Sequence, residues 1–171
     1  MSQSDIEAIE RQYRELDDRH LPLYQFVMAY NDFIYALHDY GEHNLLTMIE
    51  VHTLTMIADT PGITVTELAA FWHKTKSAIS QLVSRLDAQG LVTKQRREDN
   101  GRIVGLFPTE LGKRLSLEHK RFDIEDITRT NDDLLRECTQ EEIDTFYKVL
   151  GVYGRLTREE LDHEQGRRLT R

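Results

Sequence analysis

The sequence predicts a mainly α-helical protein carrying one small β-hairpin, and three observations support that reading. Apolar residues recur at helical spacing along most of the chain. That period breaks over residues 91–107, where two short runs flank Asn100-Gly101, a strong hairpin-turn pair. Just upstream, Thr64-Val-Thr-Glu67 is a capping box that opens two short helices leading into the hairpin.

At the N-terminus, Ile6, Ile9, Tyr13 and Leu16 share one helical face, and Pro22 then allows a break or kink. After it Leu23, Phe26, Val27, Tyr30, Phe33, Ile34 and Leu37 form a near-heptad stripe, with Gly41 as the expected stop. A second helix carries Leu45, Met48, Ile49, His52 and Met56 on one face and ends before Pro61-Gly62. The capping box opens the helix Glu67-Leu-Ala-Ala-Phe-Trp-His73, which passes through Lys74-Thr75-Lys76 into a helix closed by Gly90. In that helix Ile79, Leu82, Val83 and Leu86 face inward, leaving Lys76, Ser77, Ser80, Gln81, Ser84 and Arg85 outside or at the boundary. Residues 91–97 and 102–107 read as strands, and Pro108 ends the second. Thr109 can cap a long helix toward Arg136, and Thr139-Gln-Glu-Glu142 opens a last one with Ile143, Phe146, Leu150 and Tyr153 on a coiled-coil-like stripe. The long terminal helices have apolar stripes wider than a small domain can cover, so they are expected to bury against each other or a second copy.

With 39% hydrophobic and 30% charged residues, the composition is that of an ordinary folded protein rather than a disordered one. No apolar run approaches the ~20 residues that span a bilayer. The polar, acidic opening stretch lacks the layout of a secretory signal, and Cys138 is the only cysteine. A cytoplasmic setting is therefore expected. No glycine-rich phosphate loop or nucleophile elbow is present, so the reading is not that of an enzyme.

A net charge of −8 argues at first against a nucleic-acid partner. Its distribution reverses the argument. Residues 71–121 hold 11 Lys/Arg against 5 Asp/Glu, whereas the rest holds 11 against 25. A basic middle between acidic ends is expected if only the middle faces phosphate.

A helix, a tight turn and a second helix with short polar side chains outward suit reading of a major groove. Ser77, Ser80, Gln81, Ser84 and Arg85 can reach base edges, while Lys74, Thr75 and Lys76 near the helix start can reach phosphates. Taken alone, this helix reads equally well as a solvated amphipathic one. The hairpin decides between them, because Lys94, Arg96, Arg97 and Arg102 concentrate cations around the Asn100 turn. An arginine there can enter a minor groove. Asp99 is close enough in sequence to orient Arg102. The competing class is a winged-helix adaptor that binds protein without DNA, and such an adaptor has no need for these arginines together.

The stretch from Leu45 to Leu115 resembles the winged helix-turn-helix core of the MarR family of transcriptional regulators. Thr64-Val-Thr-Glu-Leu-Ala69 is similar to the opening of its first helix-turn-helix element. Gln81-Leu-Val-Ser-Arg-Leu-Asp-Ala-Gln-Gly-Leu-Val92 is similar to the end of its recognition helix and the following strand. Asp99 and Arg102 match its wing motif D-x-x-R, and Phe107-Pro-Thr-Glu-Leu-Gly112 resembles L-T-x-x-G, with Pro108 in place of the usual leucine. The resemblance implies dimerisation helices at 1–44 and 116–171 around a DNA-binding domain at 45–115. It also implies a homodimer on a palindromic operator, with recognition helices about 34–36 Å apart, and most commonly repression. Members of the family often respond to a small ligand held between the dimer helices and the DNA-binding domain.

His38, His52 and His119 are the candidates for such a ligand pocket. No cofactor is required by the sequence and the effector is unnamed. Zinc is one candidate through His52 and His119, because zinc-sensing members of the resembling family use histidines there. A hydrogen-bonded structural histidine is the commoner reading of an inward imidazole, and no Cys/His cluster has recognised metal spacing. His73, beside the turn, reads as a structural residue or a phosphate contact. Cys138 sits among glutamates that disfavour a thiolate, so it reads as structural. The hairpin reading predicts that Arg102→Ala weakens binding to a cognate DNA site by about tenfold or more. An unchanged affinity in a fluorescence-anisotropy titration would remove the wing from the interface.

Overall fold

The backbone leaves helix where the sequence period breaks. A computed structural model describes residues 2–41, 43–96 and 103–169. Its order is α1 (Gln3–Tyr35), β1 (His38–Asp39), β2 (Leu45–Leu46), α2 (Met48–Asp59), α3 (Val65–Phe71), α4 (Lys76–Ala88), β3 (Val92–Arg96), β4 (Val104–Pro108), α5 (Glu110–Leu134) and α6 (Gln140–Leu169). The chain divides into two compact units, Met1–Phe122 and Asp123–Arg171. Among the described residues no helix is long and apolar enough to cross a membrane.

The first helix differs from expectation at two points. Pro22 lies inside an unbroken α1. A proline removes one backbone donor, and the long run of helix on both sides carries the chain through it. The helix then stops at Tyr35, well before Gly41, because Ala36 turns to an extended conformation at ψ 145°. That places His38 opposite Leu46 and Asp39 opposite Leu45 in a short antiparallel pair. Gly41, at φ +110°, serves the intervening turn rather than a helix end, and His43 joins it in the left-handed region at φ +60°.

Each later helix has a side-chain start. Glu50 Oε2 accepts from the Thr47 N–H (3.0 Å) and hydroxyl (2.9 Å) at the head of α2. Glu67 accepts from the Thr64 N–H at 2.7 Å while the Thr64 hydroxyl accepts from the Glu67 N–H at 3.2 Å. The Thr75 hydroxyl accepts from the Ala78 N–H at 3.2 Å and begins α4. In the second unit Thr139 and Glu142 repeat the reciprocal arrangement at the start of α6, and Ile143 is buried.

The core of the first unit is one cluster. Val51, Leu54 and Ile57 of α2, Leu68 of α3, Ile79, Leu82, Val83 and Leu86 of α4, Leu91, Val92 and Leu106 of the hairpin, and Leu115 of α5 are all buried in it. Each fully buried leucine contributes about 1.5–3 kcal/mol relative to exposure. The strands β3 and β4 pair antiparallel from Val92 opposite Pro108 to Arg96 opposite Val104. Ile63 adds a bridge to Leu106 through bonds of 2.7 Å (Gly62 N–H to Leu106 O) and 2.9 Å (Leu106 N–H to Ile63 O).

The end of α4, the base of the hairpin and the start of α5 meet at one carbonyl. Gly90, at φ +70°, reverses the chain after α4. The Thr109 hydroxyl donates to Gly90 O at 2.7 Å, with Leu91 O at 3.2 Å, and accepts from the Gly112 N–H at 3.0 Å. A Cβ on Gly112 would sit 2.1 Å from Leu91 O, a backbone atom that has nowhere to go. Gly112→Ala is therefore expected to cost about 1–3 kcal/mol, the usual range for overpacking. A urea melt with an unchanged midpoint would show that this approach is not tight in solution.

Candidate nucleic-acid interface

The four apolar positions of α4 are buried, and what remains outside is polar. Lys74, Thr75, Lys76, Ser77, Ser80, Gln81, Ser84 and Arg85 are all exposed, as the amphipathic pattern predicted. Thr75 has a structural duty as well, since its hydroxyl is the helix cap. The turn before it holds His73 at φ +49°, a left-handed conformation for a residue other than glycine. His73 N–H donates to Ala70 O at 3.3 Å and Lys74 N–H to Ala69 O at 3.0 Å, closing the tight reversal between α3 and α4. His73 thus has a backbone role, and it is exposed beside Lys74 and Lys76.

Arg96 is exposed at the end of β3. Lys94 is less available than its charge suggests. Its ammonium lies 3.1 Å from the Asp87 carboxylate and 3.4 Å from the Ser84 hydroxyl, which ties the hairpin to the last turn of α4. The remaining wing residues, Arg97, Asp99, Asn100 and Arg102, lie outside the described residues.

Among the described candidates, Arg85 has the most elaborate surroundings. Its Nε donates to Glu50 Oε1 at 2.7 Å, joining α4 to α2. The Glu50 side chain is 8% exposed and that of Arg85 56%. Burial raises the Glu50 pKa. The bond from Arg85, those from the Thr47 N–H and hydroxyl, and the guanidinium charge outweigh that effect and leave it below the ordinary 4.5. Glu50 is not among the site residues that the sequence pattern singles out. The signal was present in Thr47-Met-Ile-Glu50, which has the spacing of a capping box.

The three histidines singled out for a ligand pocket form part of one ring cluster in the first unit. His119 is 1% exposed. It lies edge-on to His52 at 4.4 Å between ring centres and to Tyr40 at 5.4 Å. His38 joins through Tyr40 at 6.2 Å. His119 Nδ1 is 3.1 Å from the Thr55 hydroxyl, which in turn accepts from Ser116 at 3.3 Å. On the far side His52 is 6.4 Å from the ring of Trp72, the last residue before His73. The cluster therefore reaches from β1 to the helix-turn-helix turn. The ring nitrogens of His52 and His119 lie within 4.8 Å of each other, close enough to serve one metal ion.

Three comparisons bear on what this arrangement is. Residues 46–103 match the model of the MarR family. A Bacillus subtilis (strain 168) protein described as the uncharacterized HTH-type transcriptional regulator YhjH is 31% identical over 84 residues, covering 49% of this chain and 48% of that protein. The match thus spans about half the length of the curated relative. Among solved structures, Streptococcus pneumoniae FabT in complex with DNA aligns at TM-score 0.61 and 18% identity, covering 86% of this chain and 98% of that one. A MarR/EmrR family regulator from Acinetobacter sp. ADP1 aligns at 0.64 and 19%, covering 84% and 98%. Lactococcus lactis ZitR, described as a zinc-responsive MarR family member, aligns at 0.61 and 22%, covering 84% and 98%. At these identities the structural likeness establishes the fold.

The lowered Glu50 pKa fixes the sign of an acid effect. Its contribution to stability is full above the ordinary value of 4.5 and fades as pH falls through the lower folded-state value. Urea midpoints of the wild type should therefore fall between about pH 5 and pH 3 more steeply than those of Glu50→Gln. Parallel profiles for the two proteins would show that the ion pair adds nothing to stability.

Proposed function

We propose that the chain, whose residues 46–103 match the model of the MarR family, is a homodimeric, DNA-binding transcriptional regulator that represses its target genes. The observation that carries the reading is the outer face of α4. Ser77, Ser80, Gln81 and Ser84 stand exposed on a capped helix whose opposite face is locked into the core. Lysines flank its start, and strand β3, which ends in Arg96, lies beside its end. Short donors for base edges, with cations around them for phosphates, are what insertion into a major groove needs.

A second copy of the chain accounts for the apolar surface of the terminal helices. In α1, Ile9, Tyr13, Tyr24 and Val27 are exposed, and in α6 Phe146, Leu150, Tyr153 and Leu156. Two copies related by a two-fold axis would present two α4 helices to a palindromic site. The ring cluster of His38, Tyr40, His52 and His119 is our candidate for the effector-responsive element. A ligand that reordered these rings would act on Trp72 and hence on the turn that orients α4.

Selection from a random-sequence duplex pool, followed by titration of the enriched site at two salt concentrations, tests this reading. Enrichment of a palindrome, with affinity falling steeply as salt rises, is expected. Ser80 and Gln81 variants should shift the preferred sequence. A chain that enriches no site would instead be a protein-binding winged-helix adaptor. For the assembly, sedimentation equilibrium should give a dimer for the wild type and a smaller species for Leu150→Glu, and a monomeric wild type would contradict it.

A further inference from the structure

Glu50 stands out as a buried carboxylate on a helix that has no place in the interface. Both of its oxygens are committed. Oε2 accepts twice from Thr47 at the head of α2, which fixes the carboxylate, and Oε1 accepts from Arg85 Nε at 2.7 Å. Arg85 itself lies four residues after Gln81, one turn along the same face of α4, and its side chain is more than half exposed. A guanidinium bound through Nε keeps its two terminal nitrogens free to act as a fork. Such a fork matches a pair of acceptors, either O6 and N7 of guanine or two phosphate oxygens.

Resting on the DNA-binding reading, we infer that Glu50 is a positioning residue for recognition: it holds the Arg85 fork outward, beside Gln81, before DNA arrives. A free arginine must lose the freedom of a long side chain when it binds. One already held at its base loses less, and the fork meets its acceptors in a fixed direction. Glu50 acts on the DNA only through Arg85. Its removal should therefore matter only while Arg85 is present.

The experiment is a double-mutant cycle measured on the site selected by the wild-type protein and on an unrelated duplex. Glu50→Gln keeps an acceptor for the Thr47 cap and removes the charge that holds Arg85. It is expected to weaken binding to the selected site by about tenfold and to have no further effect in an Arg85→Ala background. If Arg85 reads a guanine, the loss falls on the selected site alone. If it holds phosphates, both duplexes lose affinity together. Arg85→Lys keeps the charge near Glu50 but has no fork, so it should bind the selected site more weakly than the wild type while melting close to it. That variant separates a recognition defect from a folding defect. An unchanged affinity for Glu50→Gln, or an equal loss with and without Arg85, would overturn the proposal while leaving DNA binding intact. A wild-type protein that selects no site removes the DNA-binding reading and this proposal together.

Discussion

The carbonyl of Leu91 is where the first unit is tied together. The Thr109 hydroxyl donates to Gly90 O beside it and caps α5 at Gly112, and the missing side chain of Gly112 lets α5 lie against the Leu91 carbonyl itself. The backbone leaving α4, the first strand of the hairpin and the first turn of α5 are thus held within a hydrogen bond of one another. Leu86, Leu91 and Leu115 around this junction are all buried in the same core. Any tilt of α4 must move the root of the hairpin and the start of α5 with it, because close-packed elements do not deform independently.

That junction gives physical content to the motif Phe107-Pro-Thr-Glu-Leu-Gly112. The threonine is needed as donor and acceptor at once, and the glycine because no Cβ fits. Proline in place of leucine at 108 is tolerated because it sits at the end of β4, opposite Val92, where the ladder stops. The same economy appears at Glu50, where one carboxylate both starts α2 and holds Arg85. Charge distribution fits the picture. The acidic excess of the chain lies outside residues 71–121; within them Asp87 is paired with Lys94, and Arg85 is paired with Glu50 from outside the range.

Most of the architecture was legible because it is written in local signals. Capping boxes at Thr64 and Thr139 sit where the structure starts helices, and the inward and outward residues of α4 separate as the period demands. The misreadings share a cause, which is that tertiary context overrides a local breaker. Pro22 allows a break or kink by local rules, yet α1 continues through it. Gly41 was read as a helix stop although its left-handed φ serves the turn between β1 and β2. The ion pair between Glu50 and Arg85 spans 35 residues of sequence, and no periodicity reports a contact of that range. Likewise Lys94 counted as a free cation until its neighbour Asp87 was placed. The gathering of His38, Tyr40, His52 and His119 was only half visible, since an apolar stripe shows that a histidine faces inward but not what it meets.

In the proposed complex α4 enters a major groove twice, once from each copy of a two-fold assembly. Hydroxyl-radical footprinting on a selected duplex tests it most directly, because protection reports where protein lies along the DNA at nucleotide resolution. Two protected segments are expected on one face of the duplex, about one helical turn apart and symmetric about the centre of the site. A single protected segment, or uniform protection without phase, would contradict it.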